Sequence, residues 1–322
     1  MPGLSSAHQA LAGGLTVVVP VFRSAATLPE LHRRLTDVLT AARADYEIIL
    51  VEDSGGDDSW SVIEKLATTD DHVRGFRLSR NYGQHNALLC GIRLARFDRV
   101  VTLDDDLQNP PEEIPRLLER LVDDVDVVYG APQREQHGFL RDQASRITKM
   151  ALQSAMGAEN ARHVSAFRLF RTRLRDAFAD YRGPHVSIDV LLTWGTTRFD
   201  FVTVKHDPRL VGQSNYTVRK LVKHAIDMAT GFSTLPLQIA SLIGFVFTVF
   251  GMVVLAVVLL NFLANGSAVP GFAFLASIVA IFSGAQLFAL GIIGEYLARI
   301  HFRTMDRPGY VVSRSTVEHD GP

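Results

Sequence analysis

The stretch that decides both the fold and its candidate site is VVTLDDDLQ, residues 100–108. Its first four residues have the apolar, β-branched character of a buried strand, and three acids follow directly. Extended chain through these acids would direct Asp104, Asp106 and Gln108 to one side and Asp105 to the other. Clustered carboxylates at a strand end suit a hard divalent cation, Mg²⁺ or Mn²⁺, although an acidic turn facing water is the alternative. The pattern favours a metal site at Asp104 and Asp106.

Short β-branched runs alternate with amphipathic stretches on the amino-terminal side of this segment and again after it. This alternation predicts an α/β fold with a parallel sheet and crossover helices. The string Thr27-Leu28-Pro29-Glu30 has capping-box spacing and marks the start of the first helix. The predicted strands are residues 16–19, 46–51, 73–78, 99–103 and 126–129, and the predicted helices are residues 27–42, 59–68, 84–96 and 111–121.

Ligands of open α/β sheets bind at the carboxyl ends of the strands, so those ends indicate the chemistry. The first strand runs into Pro20-Val21-Phe22-Arg23 and the second into Glu52-Asp53-Ser54-Gly55-Gly56. No Gly-x-Gly-x-x-Gly follows the first strand and no Gly-Lys-Ser/Thr occurs, so neither a dinucleotide fingerprint nor a P-loop is supported. Asp53 is either part of a solvated turn or an acceptor for a nucleobase or ribose.

Composition excludes several classes of protein. The chain has 322 residues, 47% of them hydrophobic and 21% charged, which argues against disorder. A net charge of -1 gives no support for binding nucleic acid. The lone Cys90 excludes an internal disulfide framework and a cysteine zinc site, and it fits a reducing compartment.

A mean hydropathy of +0.13 reflects apolar residues concentrated near the carboxyl terminus. No Asp, Glu, Lys or Arg lies between Asp227 and Glu295, and two apolar stretches, residues 235–263 and 272–297, are each long enough to span a bilayer. A buried helical hairpin is the alternative, but soluble helices rarely stay apolar on every face for this length. The sequence therefore predicts two transmembrane helices.

The charges that flank the two stretches predict their orientation. Basic residues precede the first stretch and follow the second, and the connecting loop is uncharged, so both outer ends are expected in the cytoplasm. Residues 216–233 have the pattern of an amphipathic helix lying on the membrane surface. The first dozen residues lack a basic, apolar signal sequence. The flanking basic residues are Arg219, Lys220, Lys223 and His224 before the first stretch, and Arg299, Arg303 and Arg307 after the second.

Several strings together resemble the family 2 glycosyltransferases of the GT-A fold, and more closely the polyprenyl-phosphate glycosyltransferases, a group that includes dolichyl-phosphate mannose synthase. The resemblance extends from about residue 15 to residue 307. It implies a Rossmann-like mixed sheet with flanking helices, followed by the interface helix and a two-helix transmembrane hairpin. The strings are VPVF (19–22), VEDS (51–54), NYGQ (81–84), DDDLQNPPE (104–112), RLVGQSNY (209–216) and FSTLPL (232–237).

The resemblance also implies roles for individual residues. Asp53 would contact the nucleoside, Asp104 and Asp106 would surround the metal and the donor diphosphate, and Gln108 falls at a donor-site position. Pro20, Glu52 and Asp105 belong to the nucleotide-sugar strings. The positions that resemble the lipid-phosphate site are Arg134, Arg141, Ser145, Arg209 and Ser214.

Two departures affect this transfer of roles. Relatives commonly have Asp-Gly-Ser after the nucleoside aspartate, whereas this chain has Ser54-Gly55-Gly56. Before Phe167 relatives often carry an acid and a glycine, whereas this chain reads His163-Val164-Ser165-Ala166. The shape of the first loop and the contacts to the sugar are therefore the least transferable parts.

The implied reaction moves a sugar from a UDP, GDP or dTDP sugar to a polyprenyl phosphate, whose second phosphate pKa of about 6 leaves it largely ionised near neutral pH. Direct attack on the anomeric carbon then needs no strong protein base, so His185 and Asp189 are expected to be structural or sugar-binding. Trp194 is either a sugar platform or a core residue.

The expected organisation is a flexible terminus (1–14), a cytoplasmic glycosyltransferase domain (15–215), the interface helix (216–233), the hairpin (234–298) and a cytoplasmic tail (299–322). The expected location is the cytoplasmic (inner) membrane, and two lone spans favour a homo-oligomer. A catalytically silent membrane scaffold and a processive polysaccharide synthase are the rival readings. The second is disfavoured because Ile147 follows Gln143-Ala144-Ser145-Arg146 where such synthases have tryptophan.

Overall fold

The computed structural model describes residues 13–42, 45–132, 162–183, 186–207, 235–265, 271–305 and 307–317. The chain divides into two compact units. A sheet domain contains the described residues up to 207 together with residues 307–317, and a helical unit contains residues 235–305. The chain therefore leaves the sheet domain, forms the helices and returns to the sheet domain.

The described residues form one eight-stranded sheet with the strand order β7-β5-β6-β4-β1-β2-β3-β8. Six strands run parallel to one another, while β6 and β8 run antiparallel to their neighbours. The sheet is thus mixed, and the parallel core predicted from the alternation is confirmed. The strands are β1 (Leu15–Val21), β2 (Tyr46–Glu52), β3 (Val73–Leu78), β4 (Arg99–Thr102), β5 (Val127–Pro132), β6 (Arg168–Arg171), β7 (Phe199–Val204) and β8 (Val312–Ser315).

Helices cover both faces of the sheet, because strands buried on both sides need apolar partners on each. Two clusters of buried side chains result, one on each face. The helices α1 (Leu28–Ala41), α2 (Ser59–Thr69) and α4 (Ile114–Arg120) pack on one face. The other face carries α3 (Gln84–Leu94), a 3₁₀ segment (Thr172–Phe178) and α5 (Ile188–Gly195). A further 3₁₀ turn, Pro111–Glu113, precedes α4.

Helix α1 begins where the sequence predicts, but the predicted capping box is wrong. The hydroxyl of Thr27 donates to the carbonyl oxygen of Ser24 at 3.1 Å and makes no side-chain cap bond to the helix. Glu30 instead pairs with Arg33 one turn later. The early Pro29 and the buried leucine face are sufficient to define the helix start.

Strand β8 comes from the segment that the sequence assigns to a tail. It pairs with β3 along the edge of the sheet, and Gly75 and Thr316 exchange hydrogen bonds just beyond the paired residues. Tyr310, just before β8, packs against the face of the sheet that α3 covers. The end of the chain is therefore part of the sheet domain.

The helical unit consists of α6 (Leu235–Asn265) and α7 (Phe272–Thr304). Phe247 and Phe282 meet edge to face with 5.7 Å between ring centroids, so the two helices contact each other. Two segments are long and apolar enough to cross a membrane by length and composition, Leu237–Ala264 and Ile281–Ala298. Their described apolar side chains are largely exposed, which a hairpin inside a soluble core would not show.

Candidate active site

An open cleft of about 250 Å³ lies at the carboxyl edge of the parallel strands. Loops that follow β1, β2, β3 and β4 all contribute to it, as expected for an open α/β sheet. The lining residues are Pro20, Val21, Phe22, Asp53, Asn81, Gly83, Gln84, Asp104, Asp105 and Asp106. The cleft therefore collects residues from four separate strings of the sequence.

Pro20 lies where β1 and β4 separate. The carbonyl of Val18 accepts from Leu103 of the β4 side, whereas the carbonyl of Val21 accepts from Asp53 of the β2 side. Because these directions alternate along a strand, the nitrogen of residue 20 faces β4, which ends at Thr102. A proline costs no ladder hydrogen bond at this point, and the gap between the two strands opens the cleft.

The chain turns directly after β4. The expectation that it stays extended through Gln108 is wrong, because β4 ends at Thr102 and residues 105 and 106 lie in a turn. Gln84 Nε2 donates to Asp104 Oδ1 at 2.5 Å, and Asp106 Oδ1 accepts from the backbone N–H of Gln108 at 3.1 Å. The turn thus brings Asp104 and Asp106 to the cleft, where these hydrogen bonds, rather than strand alternation, hold their side chains.

Asp105 contacts the loop that follows β1. Its carboxylate accepts from the backbone N–H of Phe22 at 3.0 Å and from the hydroxyl of Ser24. Burial raises the pKa of Asp105, and these hydrogen bonds only partly oppose that rise. Asp105 therefore ties the loop after β4 to the loop after β1.

Asp53 is almost fully buried at the cleft wall, with 3% of its surface exposed. Its two carboxylate oxygens accept from the backbone N–H groups of Tyr82 and Gly83, each at 2.7 Å. Burial raises the pKa of Asp53 despite these hydrogen bonds. Asp53 thus fixes the loop between β3 and α3. These two hydrogen bonds also fix the orientation of its carboxylate at the cleft wall.

The backbone is strained at three of these loops. Arg23, Ser54 and Leu107 have φ angles of 58°, 51° and 62°, in the left-handed region that few residues other than glycine adopt. Leu107 is bulky and 1% exposed, so its packing against the core holds the strained turn after Asp106. Strain at every one of these points is typical of loops that hold functional groups in fixed positions.

The loop after β2 also needs its glycine at residue 55. A Cβ there would lie 2.8 Å from the backbone nitrogen of Arg23, and the side chain of Arg23 donates to the carbonyl of Gly55 at 2.8 Å. Ser54 donates its hydroxyl to the carbonyl of Leu78 at 2.8 Å. The string Ser54-Gly55-Gly56 therefore forms a defined loop of its own shape.

Two predicted site residues occupy supporting positions. Glu52 is 1% exposed and is not among the lining residues of the cleft. Its carboxylate accepts from the N–H of Gly55 at 2.6 Å and lies 3.0 Å from Nε of Arg77. Glu52 therefore stabilises the loop after β2 without lining the cleft. Gln108 acts through its backbone, since its carbonyl accepts from the N–H of Asp207 at 2.9 Å.

The predicted lipid-phosphate residues all lie outside the described residues. They are Arg134, Arg141, Ser145, Arg209 and Ser214. His185 also lies outside them, whereas Asp189 is buried in an ion pair with Arg168. Trp194 is 48% exposed and meets Tyr181 edge to face, so it is not a core residue.

Five residues that line the cleft were not predicted as site residues: Val21, Phe22, Asn81, Gly83 and Gln84. Phe22 exposes 42% of its surface there, and Gln84 contacts Asp104. Both belong to strings that the sequence singled out, VPVF and NYGQ. Phe22 directly follows β1, whereas Gln84 is the first residue of α3. Membership of these two strings was therefore the signal available for Phe22 and Gln84.

This mixed sheet, with helices on both faces and an acidic cleft at its carboxyl edge, is a glycosyltransferase domain of the GT-A type. Its family follows from the sequence comparison. The family model described as glycosyl transferase family 2 matches residues 16–182. The chain belongs to glycosyltransferase family 2.

Curated relatives cover nearly the whole chain. One is the undecaprenyl-phosphate 4-deoxy-4-formamido-L-arabinose transferase of Sodalis glossinidius, which is 36% identical over 92% of this chain and 92% of its own. Another is the protein of that name from an Enterobacter species, 34% identical over 93% of both chains. The similarity to these relatives therefore extends beyond the sheet domain and includes the apolar helices.

Among solved structures, the chain is similar to glucosyl-3-phosphoglycerate synthase from Mycobacterium tuberculosis in complex with Mn²⁺, UDP and phosphoglyceric acid. The TM-score is 0.55, and the match covers 70% of this chain and 80% of that chain. At 17% identity this similarity concerns the fold alone.

Proposed function

We propose that this glycosyltransferase moves a sugar from a nucleotide diphosphate sugar to a polyprenyl phosphate at a membrane surface. The observation that carries the proposal is the combination, in one chain, of the acidic cleft with two helices long and apolar enough to cross a membrane. A water-soluble donor and a lipid acceptor require both features. The relatives named for transfer to undecaprenyl phosphate support the same acceptor class.

The residues of the cleft fit a divalent cation that is shared with the substrate. Asp104 and Asp106 supply two carboxylates, the oxygen ligands that Mg²⁺ and Mn²⁺ prefer. Within the described ranges, no group of three or more His, Cys, Asp or Glu side chains is arranged to hold a metal. Two carboxylates completed by substrate phosphates and water are a common way of holding Mg²⁺. When bound, the cation would neutralise the diphosphate and stabilise it as a leaving group.

The side chains of the cleft would orient the donor. Phe22 offers an exposed ring on which a nucleobase can stack, and Asp53 lies on the same cleft with lone pairs that can accept from a nucleoside hydroxyl. The acceptor phosphate, already ionised, would attack the anomeric carbon in line with the departing nucleoside diphosphate. The configuration at that carbon would be inverted. No protein base is needed in this scheme.

The acceptor site and the membrane placement are parts of the same proposal. The arginines of the predicted acceptor set suit a lipid phosphate because a guanidinium can bind two oxygens at once. Residues 216–233 would lie at the interface, and both outer ends of the hairpin would face the cytoplasm, as the flanking basic residues indicate. The proposed acceptor residues are Arg134, Arg141, Ser145, Arg209 and Ser214.

The test uses membranes that contain the full chain. They are incubated with polyprenyl phosphate, Mg²⁺ or Mn²⁺ and a panel of nucleotide sugars that includes nucleotide-linked 4-deoxy-4-formamido-L-arabinose, and lipid products are identified by mass. A polyprenyl-phosphate sugar supports the proposal. Nucleotide binding without any product indicates a silent scaffold, and a water-soluble polymer indicates a polysaccharide synthase.

The double variant Asp104→Asn with Asp106→Asn is expected to lose transfer by at least about 10³-fold, because it removes both carboxylates that would face the cation. The exposed pair Asp123→Asn with Asp124→Asn is the matched control and should keep full activity. Undiminished transfer by the first variant would contradict the metal role.

A further inference from the structure

A buried arginine lies behind the cleft, at the start of β6. Arg168 has 2% of its surface exposed, and its Nη1 donates to the carboxylate of Asp189 in the first turn of α5. Its Nε donates to the hydroxyl oxygen of Thr102 at 3.1 Å. The hydroxyl of Tyr129 donates to the same carboxylate at 3.1 Å. One guanidinium thus connects β4, β6 and α5.

Stability alone does not explain such a pair. Apolar residues of similar volume often replace a buried ion pair without loss of stability, and the surroundings of this pair are otherwise apolar. A guanidinium does hold several acceptors in fixed relative positions. Nε of Arg168 also contacts the carbonyl of Ala166 at 3.4 Å, and Thr102 donates to that carbonyl at 2.8 Å. The ends of β4 and β6 are therefore locked together at the edge of the sheet that carries the cleft.

Two connections of Asp104 lead back to this pair. Through the chain, Asp104 follows Thr102 by two residues at the end of β4. Through space, Gln84 donates to Asp104, and the neighbouring His85 accepts from the backbone N–H of Ile188 through Nδ1 at 3.4 Å. Ile188 directly precedes the aspartate of the pair. Asp104 is therefore connected to the ion pair by two routes, one through Thr102 and one through α3.

We propose that Arg168 and Asp189 form a positioning pair that holds Asp104 in register with the rest of the cleft. The pair itself is not among the lining residues, so it acts through Thr102 and α3 rather than on the substrate. This role rests on the proposed function, in which Asp104 faces a cation and a diphosphate. In this role the carboxylate of Asp189 is paired with Arg168, so Asp189 is unsuited to act as a general base.

The test measures Mn²⁺ affinity in the presence of nucleotide, by electron paramagnetic resonance on the full chain in detergent, with UDP and GDP as the nucleotide in turn. The variant Arg168→Met with Asp189→Leu keeps the volume and removes both charges, so it should stay folded. Loss of a group that orients a metal ligand typically costs 10–100-fold in metal affinity or activity, and we expect about that loss in Mn²⁺ affinity and in kcat. Nucleotide affinity without metal should not change.

Two further variants separate positioning from a merely structural role. Thr102→Val removes the hydroxyl that contacts both Arg168 and Ala166 without touching the ion pair, and it should lower Mn²⁺ affinity several-fold, less than the double variant. Arg168→Lys keeps a charge for Asp189 but lacks the Nε donor, so it should keep wild-type thermal stability and only part of the wild-type Mn²⁺ affinity.

The matched control is the buried pair of Arg74 and Glu47, 2.7 Å apart near the opposite edge of the sheet. The variant Arg74→Met with Glu47→Leu should leave Mn²⁺ affinity at the wild-type value. Wild-type Mn²⁺ affinity and kcat in both the Arg168→Met with Asp189→Leu variant and Thr102→Val would overturn the proposal, as would a wild-type protein that binds no Mn²⁺ with either nucleotide. Because this readout needs no lipid acceptor, failed transfer to polyprenyl phosphate would sink the proposed function and leave the positioning result standing.

Discussion

The aspartates at the two edges of the sheet are held in opposite ways. At the carboxyl edge, burial raises the pKa of Asp53 and Asp105, and the hydrogen bonds they accept are mainly from backbone N–H groups. At the amino edge, Asp126 and Asp70 are bound by arginine and histidine side chains respectively. Burial opposes ionisation of these two as well, but the hydrogen bonds outweigh it and lower their pKa.

The difference separates stability from function. Asp126 accepts from Thr196, Arg173 and Arg198, so its negative charge is already matched by the fold. Burial disfavours the charged forms of Asp53 and Asp105, and the hydrogen bonds they accept compensate for it only in part. A bound cation or hydrogen-bond donor would lower the free-energy cost of ionising these two carboxylates. A structural ion pair has its partner within the fold, whereas a binding site leaves this compensation to the ligand.

Among the aspartates of this comparison, Asp53 has the largest expected effect. Asp53→Asn leaves only one of the two backbone N–H groups of Tyr82 and Gly83 with an acceptor, so the loop that presents Gln84 should shift. We expect kcat/KM for transfer to fall about 10²-fold, the size seen when one preorganised group is removed from a site. Thermal melting should stay close to wild type. Activity within a factor of two of wild type would show that Asp53 is not needed to hold this loop.

Asp126→Asn should act on stability and spare activity. The change leaves Arg173 and Arg198 without their carboxylate partner, and we expect the free energy of unfolding to fall by about 2 kcal/mol, a moderate value because both arginines are partly exposed. Denaturant titration of the full chain in detergent measures it, and kcat/KM of the folded fraction should not change.

The pH dependence gives this prediction a sign. A carboxylate whose pKa is lowered in the folded state stabilises the fold above its ordinary pKa of 3.8, and that stabilisation is lost as the pH falls further. The curves of wild type and Asp126→Asn should therefore differ at neutral pH and converge below about pH 4. A constant difference down to pH 3 would contradict the role of this ionisation.

Asp105→Asn should give the smallest effect, with the opposite sign on stability. Folding disfavours the ionised form of Asp105, so its charge costs stability once the pH exceeds its raised pKa. The neutral amide removes this cost, and we expect the melting temperature at pH 7.5 to rise by about 2 °C, with no rise at pH 3.5. Transfer should fall in the same variant. A lower melting temperature at pH 7.5 would place Asp105 with the structural aspartates of the opposite edge.

The sequence predicted strands β1 to β5 because each is a short run rich in apolar or β-branched residues, but it did not predict β7, the sixth strand of the parallel set. The acids after β4 and the aspartate after β2 were found for the same reason, since they directly follow such runs. The two apolar helices were also predicted to within a few residues, except that α7 continues to Thr304. Features of this kind can be predicted because each depends on a short, contiguous stretch of sequence.

Elements that depend on distant partners were not found. Strand β8 has the sequence Val312-Ser313-Arg314-Ser315 and becomes a strand because the edge of β3 accepts it from more than 200 residues away. The ion pair of Arg168 and Asp189 likewise joins elements whose proximity the sequence alone does not show. The left-handed backbone at Leu107 has no local signal, because a buried leucine there is imposed by packing.

The return of the chain into the sheet at β8 restricts how it can pass through a bilayer. A hydrogen-bonded sheet lies on one side of a membrane, so the chain between β7 and β8 must cross an even number of times. Any crossings of a membrane by this part of the chain would therefore come in pairs, whatever the hydropathy of either helix alone. For the same reason, cutting the chain after residue 207 would discard a strand of the sheet as well as the two helices.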